Sequence, residues 1–476
     1  MSWEGPATNL QDAIVLMQGM KLPSESAFTV DLITRPEENP WNSWMRFGAL
    51  DFLPEEETAV ITTWSGDVWL VQGIDENLES LKWTRIASGL NQPLGICARG
   101  DEILVLGRDQ VTSLVDVNDD WLTDHYVNIN SDTMNTEHFH EPANGLQCDA
   151  LGNLYYVKAA RHAKDALHPH HGTLQKISAD GKTSEVLASG FRAPMGLAVE
   201  PDGVFFCSDQ EGHWMPANRI NRITPGGFYG NNWTGTPMED QDAYDLPLAW
   251  VHPSIDRSPS SQLRVTNPGW GDLNGRLLGL SYGTGRVYLI LEDEVDGVHQ
   301  GGVVPLPIQI PTGLMSGRFN PVDGHLYLCG LVGWSSDAKE DGGFYRVRST
   351  GPLPFLPDEV KAVNDGLVLH FTEPLDAEAS APDHWDVNAW NYQWSERYGS
   401  PEFKLDGSQG RTNLPVKRVV LSPDRRSAWL VIPDMSPAMQ MHVDYLVPSG
   451  GRDHEGYAHL TVHELRRESG RSLVTP

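Results

Sequence analysis

Two stretches of this chain concentrate side chains able to move protons or hold ions. Glu137-His-Phe-His140-Glu-Pro142 is the first and His168-Pro-His170-His171-Gly172 the second. Around them lie Lys158-Ala-Ala-Arg161-His162, Phe191-Arg192-Ala-Pro194 and Ser208-Asp-Gln-Glu-Gly-His213. A histidine can serve as general base near neutral pH, and an arginine beside it can hold an anionic group. His140 or His171 together with Arg192 fits that scheme. A shared metal ion fits less well. His138 and His140 at i, i+2 on an extended segment point to opposite sides, and the adjacent His170 and His171 meet the same difficulty. For His162, His168 and His170 the competing reading is an exposed loop histidine with no role. Asp209-Gln-Glu211 offers oxygen ligands to a hard cation such as calcium, without DxDxDG spacing. Its competing reading is a turn in which Asp209 caps backbone amides. Trp214, Phe228, Tyr229 and Trp233 could stack on sugar rings, or pack between sheets.

The elements that must position these residues form an internal repeat. Ile86-Ala-Ser-Gly-Leu-Asn-Gln-Pro-Leu-Gly-Ile96 parallels Leu187-Ala-Ser-Gly-Phe-Arg-Ala-Pro-Met-Gly-Leu197, and each runs through a polar turn into an apolar strand. Further copies begin at Ala143-Asn-Gly-Leu146 and Pro311-Thr-Gly-Leu314, and weaker ones at Phe47-Gly-Ala-Leu50 and Arg276-Leu-Leu-Gly-Leu280. Third strands follow at Leu174–Ile177, Arg219–Ile223 and Phe344–Val347. A unit of roughly fifty residues built as strand, turn, strand, loop, strand is the blade of a propeller. The expected fold is all-β: a six-bladed β-propeller over residues 27–350, closed by Phe28–Ile33 as an outer strand of the last blade, after an extension over 1–26. Pro352-Leu-Pro-Phe-Leu-Pro357 reads as a stiff linker. Alternating strands beyond it predict a small immunoglobulin-like β-sandwich over 351–476, braced against the propeller and without catalytic residues. In a propeller the loops flanking the inner strands converge at one end of the axis, and here those loops carry the histidines and Arg192.

The formal charge is −29, from 35 basic and 64 acidic residues, so nucleic acid and anionic membrane are poor partners. No apolar run approaches the roughly 20 residues of a membrane span. Met1–Leu10 lacks the layout of a signal peptide, so the expected location is periplasmic or secreted with a leader outside this numbering, or cytoplasmic. Cys97, Cys148, Cys207 and Cys329 are widely spaced and fall near inner strands, which favours free core thiols over disulfides.

Gly190-Phe-Arg-Ala-Pro-Met-Gly-Leu197, Pro201-Asp-Gly203, Ser208–Gly212, Asn218-Arg-Ile220 and Gly226-Gly-Phe-Tyr-Gly-Asn231 resemble the soluble quinoprotein glucose/sorbosone dehydrogenases, propellers that use pyrroloquinoline quinone (PQQ) with calcium. Over nearly its whole length the chain also resembles the membrane-bound-dehydrogenase-type propeller of large planctomycete and verrucomicrobial proteins, through Ala160-Arg-His-Ala163, His171-Gly-Thr-Leu174, Asp209–Met215 and Gly330-Leu-Val-Gly-Trp334. The resemblance implies oxidation of a sugar or polyol hydroxyl, with electrons leaving to an external acceptor such as a c-type cytochrome. It implies His140 as base, Arg192 with Arg161, Gln210 and Arg219 at the cofactor, and Asp209 and Glu211 at calcium. Three departures stand against it: Ala193 replaces the family's asparagine, the later basic clamp is matched only by Arg318 and Lys339, and there is no haem motif. A polysaccharide lyase or hydrolase on the same scaffold, with Arg192 neutralising a uronate, and a non-catalytic glycan- or protein-binding propeller remain the alternatives.

Overall fold

The structure, a computed structural model, describes residues 13–24, 26–53, 57–235 and 244–474. The opening ten residues read for a leader lie outside them. Six antiparallel sheets follow one another along the chain in a propeller-like arrangement. Their innermost strands are Phe47–Phe52, Gly95–Arg99, Ala143–Cys148, Pro194–Val199, Pro259–Arg264 and Leu314–Phe319. Each of these touches the next, and Leu314–Phe319 touches Phe47–Phe52, so the ring is closed. The sixth sheet takes its outer strand from the beginning of the chain: Phe28–Leu32 pairs with Gly342–Ser349, as the sequence pattern anticipated. Ile14–Met17 adds a fifth strand to the first sheet along Leu81–Ala87.

The recurring glycine of the repeat has a steric cause. A Cβ on Gly145 would fall 2.7 Å from the Leu197 nitrogen, and one on Gly196 would fall 2.3 Å from the Ser261 Cα. These are the points where one innermost strand meets the next. Side-chain hydrogen bonds cross the same seams: Asn144 Nδ2 donates to Pro194 O at 3.0 Å, Ser208 Oγ to Ser260 O at 2.7 Å, and Ser260 Oγ to Leu314 O at 2.7 Å. In the fifth sheet serine takes the seam position, which corrects the sequence reading. Leu277–Ser281, expected innermost, is the second strand, and Pro259–Arg264 lines the axis without the glycine signature. Between the innermost strands lies a cavity of about 10 Å³, lined by Gly95, Gly145, Gly196 and Ser261 among others. Leu94, Met195, Met315, Tyr282 and Leu331 form an apolar plug over one end of it.

The C-terminal region is joined to the ring more intimately than a linker and separate domain would be. Val298–Gln309, the outer strand of the fifth sheet, pairs with Arg452–Val462, and the sheet runs on through Ala438–Ser449 and Trp385–Trp390. Gly301 and Gly302 lie in that seam, where a Cβ on Gly302 would fall 2.5 Å from His459 O. A second sheet, Pro357–Val363, Gly366–Phe371, Ser427–Val431 and Arg418–Leu421, shares one apolar core with the first and with the fifth and sixth sheets of the ring. Pro357 therefore begins a strand rather than ending a spacer. Three imidazoles stack across the junction, His252 on His459 at 4.9 Å and His459 on His442 at 4.3 Å.

Gly196 (φ 65°) and Gly203 (φ 85°) share the left-handed backbone, but nothing lies within 4 Å of a Cβ on Gly203. Gly196→Ala is therefore expected to cost about 1–3 kcal/mol more than Gly203→Ala, from overpacking alone. Comparing the two denaturation midpoints tests whether the seam contact limits stability.

Candidate functional site

On the face carrying the plug, the loops of the third and fourth sheets bring part of the sequence-derived set together. The peptide of Ala160 ties two of its members. Its N–H donates to Arg192 O at 2.9 Å, and its carbonyl accepts from His140 Nδ1 at 3.0 Å. Because a carbonyl only accepts, the neutral His140 ring carries its proton on Nδ1 and its lone pair on Nε2. Burial and the charge of Arg192 lower the His140 pKa to about 4, so the ring is neutral near pH 7. His162 lies 5.3 Å from His140, ring to ring, and accepts at Nδ1 from Arg192 Nη2 at 3.0 Å.

Arg192 is the least satisfied charge in this cluster. It is buried, its Nε has no hydrogen-bond partner, and no carboxylate among the described residues lies within ion-pair distance. Gly212 makes room for it, since a Cβ there would fall 1.9 Å from that Nε. Asp209 explains how its loop is held. One carboxylate oxygen accepts from the Arg192 amide at 2.8 Å, and the other from Ala193 at 2.7 Å and Gln210 at 2.9 Å. Burial pushes the Asp209 carboxyl up to about 6 against those bonds. Of its two sequence readings, the capping one describes what Asp209 does here.

The remaining candidates divide. Arg219 is fully buried, and its guanidinium is spent on Asn221, Tyr229 O and Asp245 O among Tyr229, Tyr244 and Trp250. Phe228 and Tyr229 are also core, whereas half-buried Trp233 lies 5.2 Å from His213. Arg161 is buried, donates to Asp165 O at 3.1 Å and keeps an unpartnered Nε. Gln210 and Glu211 are half-buried, and burial raises the Glu211 carboxyl while Arg192 lowers it.

His171 lies in a second, closed cluster. Its Nε2 meets Glu141 Oε2 and its Nδ1 accepts from Leu167 N at 3.3 Å, so neither nitrogen is open to a substrate. His168 stacks on it at 3.8 Å. Glu141, His168 and His171 are, among the described residues, the one buried group whose ligand atoms could surround an ion. Both Nδ1 atoms accept backbone amides, however, which leaves the protons on the Nε2 atoms that would face a metal. Glu141 is instead saturated by its own neighbours: Thr136 N and Oγ1 donate at 2.7 and 2.6 Å, and Arg108 lies at 3.5 Å. Lys158, held by Asn135 and the Glu141 carbonyl, is lowered by burial to about 7.

Sequence reasoning passed over Tyr398, expected to belong to a bracing domain. The loop after Trp385–Trp390 reaches back over the ring. Trp394 Nε1 donates to Trp214 O and Gly230 O, Ser395 O accepts from Trp214 N, and Glu396 O lies 2.8 Å from His213 Nδ1. This carries the Tyr398 ring to 5.3 Å from the Arg192 guanidinium and 5.6 Å from His213. A tyrosine in an irregular loop some two hundred residues away in sequence carries no local signal of that placement.

No family profile and no curated protein matches the chain. Among solved structures, an oxidoreductase (glucose dehydrogenase) from Thermus thermophilus is similar with a TM-score of 0.50 and 17% identity, over 67% of this chain and 100% of that one. The soluble aldose sugar dehydrogenase of Escherichia coli matches at 0.48 and 15%, over 68% and 99%. The PQQ-bound aldose sugar dehydrogenase of Streptomyces coelicolor matches at 0.48 and 14%, over 68% and 99%. At such identities the likeness is one of fold.

The Glu141 cluster yields a pH prediction. Burial alone would raise its carboxyl, but hydrogen bonds from His171 and Thr136 outweigh it and hold the pKa at about 2. A depressed carboxylate contributes stability above its unfolded pKa and loses it as pH falls through the folded one. Glu141→Gln should therefore cost about 3 kcal/mol at pH 7. The gap to the wild type should hold down to about pH 4.5 and shrink toward pH 2, as read by urea denaturation across that range.

Within the same site, the chain offers a free base, an uncompensated cation and aromatic surface.

Proposed function

We propose that this face oxidises a hydroxyl of a sugar or polyol, as a quinoprotein-like dehydrogenase does, on a six-bladed propeller (27–350) followed by an immunoglobulin-like sandwich (351–476). The observation that carries the reading is the neutral His140, whose Nε2 has no partner among the described residues, beside the buried Arg192 that meets no carboxylate among them. His140 Nε2 takes the hydroxyl proton. Arg192 orients the neighbouring oxygens, and Tyr398 and Trp233 supply apolar faces for the ring. Enclosure beneath the Tyr398 loop limits water at Arg192 and strengthens its field.

The residues fit part of the cofactor set that the family likeness implies. Buried Arg192 and Arg161, each with an unpartnered Nε, suit the carboxylates of PQQ, with Gln210 alongside. When bound, that quinone supplies the two-electron acceptor. Arg219 does not fit the group, because its donors are spent on carbonyls. Asp209 does not fit calcium, because both oxygens accept amides, which leaves Glu211 and backbone carbonyls for a cation. Electrons would leave to an external acceptor such as a c-type cytochrome, in a periplasmic or secreted setting.

Tyr398 favours a second reading, eliminative cleavage of a uronate-containing polysaccharide. Arg192 would neutralise the carboxylate, His140 would remove the adjacent carbon-bound proton, and the Tyr398 hydroxyl would protonate the leaving oxygen.

Titrating the metal-stripped protein with PQQ, with and without calcium, and following dye reduction with a sugar panel separates the two. Calcium-dependent binding with sugar-dependent dye reduction is expected. His140→Ala should lower kcat by at least about 100-fold, and Arg192→Ala should weaken quinone binding. The acid limb of the rate profile should fall near pH 4, where His140 protonates, not near 6.5. No quinone binding, with new unsaturated ends appearing in polyuronate alone, would replace this reading by the lyase.

A further inference from the structure

We propose that Cys97 and Cys148 are a redox pair that closes into a disulfide stapling the second sheet to the third. The two residues lie on the innermost strands Gly95–Arg99 and Ala143–Cys148, in different sheets and 51 positions apart. Their sulfurs are 2.9 Å apart. That is closer than unbonded sulfurs settle, and within about 1 Å of the ~2.05 Å of a bonded pair. The backbones permit it, because these strands run against each other at the seam, where a Cβ on Gly95 would fall 2.8 Å from Leu146 N. Cys207 and Cys329 are fully buried in other sheets.

Access and reactivity are divided between the pair. Cys97 is buried, whereas Cys148 is half-buried and can meet a small reagent. The Cys97 thiol, and beyond it Arg99 and Arg318, lower the Cys148 pKa, which favours its thiolate as the attacking group. The oxidant is a low-molecular-weight disulfide. The Cys148 thiolate attacks one of its sulfurs and expels a thiol, giving a mixed disulfide. Cys97, losing its proton, attacks the Cys148 sulfur and expels the second thiol. The protein loses two electrons and two protons, and the reagent disulfide becomes two thiols. The free thiols of the structure are the reduced state of this couple.

The test uses the whole chain, incubated with oxidised glutathione, acid-quenched, unfolded and titrated for thiols. Two thiols are expected, against four in the reduced protein, with a Cys97–Cys148 cross-link in the peptide map and a mass lower by two hydrogens. The oxidised form should melt about 4 °C higher. Cys148→Ser should keep three thiols under the same treatment. Four thiols in the wild type, a glutathione adduct that never resolves, or thiol loss that persists in Cys148→Ser would overturn the pairing. Equal midpoints would overturn the staple.

Discussion

The ring depends on innermost strands approaching until a backbone atom of one occupies the place of a missing Cβ on its neighbour. Gly145 against Leu197 and Gly196 against Ser261 are the clearest cases. One sheet cannot bury both of its faces, but six in a closed cycle bury each against the next, provided the seams close everywhere. Asn144, Ser208 and Ser260 make hydrogen bonds across the seams to backbone carbonyls of the next sheet. At the axis a cavity of about 10 Å³ is lined in part by the apolar side chains of Leu94, Met195 and Met315. The titratable side chains His140, His171 and Arg192 accordingly lie in the loops of the third and fourth sheets, not in the channel.

Those loops hold two clusters of opposite character. Around Glu141 the carboxylate itself is answered: Thr136, His171 and Arg108 converge on its oxygens, and Lys158 is held by its backbone carbonyl. Around Arg192 the reverse holds. Its loop is fastened by Asp209 through backbone amides alone, so a carboxylate with the charge to pair with the guanidinium is spent on the main chain. A buried cation left in that condition is expensive unless something anionic completes it. That departure from full satisfaction sets the open cluster apart from the closed one.

The C-terminal region contributes more than bracing. Gly302 makes room for Arg452–Val462 to pair with the fifth sheet, which becomes a wall of a second core. From that sheet the loop bearing Trp394 and Tyr398 is anchored on Trp214 and Gly230 and roofs the Arg192 cluster.

Local sequence determined the strands and the repeat, because turn residues, alternation and the seam glycine are written within each fifty-residue unit. It also determined that His140 and Arg192 would share a face, since both lie in loops flanking innermost strands. The fifth sheet escaped that logic because serine, at Ser260 and Ser261, replaces the glycine signal there. Tertiary structure alone decided which polar residues stayed available. Asp209, Arg219 and His171 have the right chemistry in sequence, but hydrogen bonds made on folding consume their polar atoms. Tyr398 entered the site by a contact between residues about two hundred positions apart. Residue type fixes what a group can do; partners brought by long-range packing fix whether it is still free to do it.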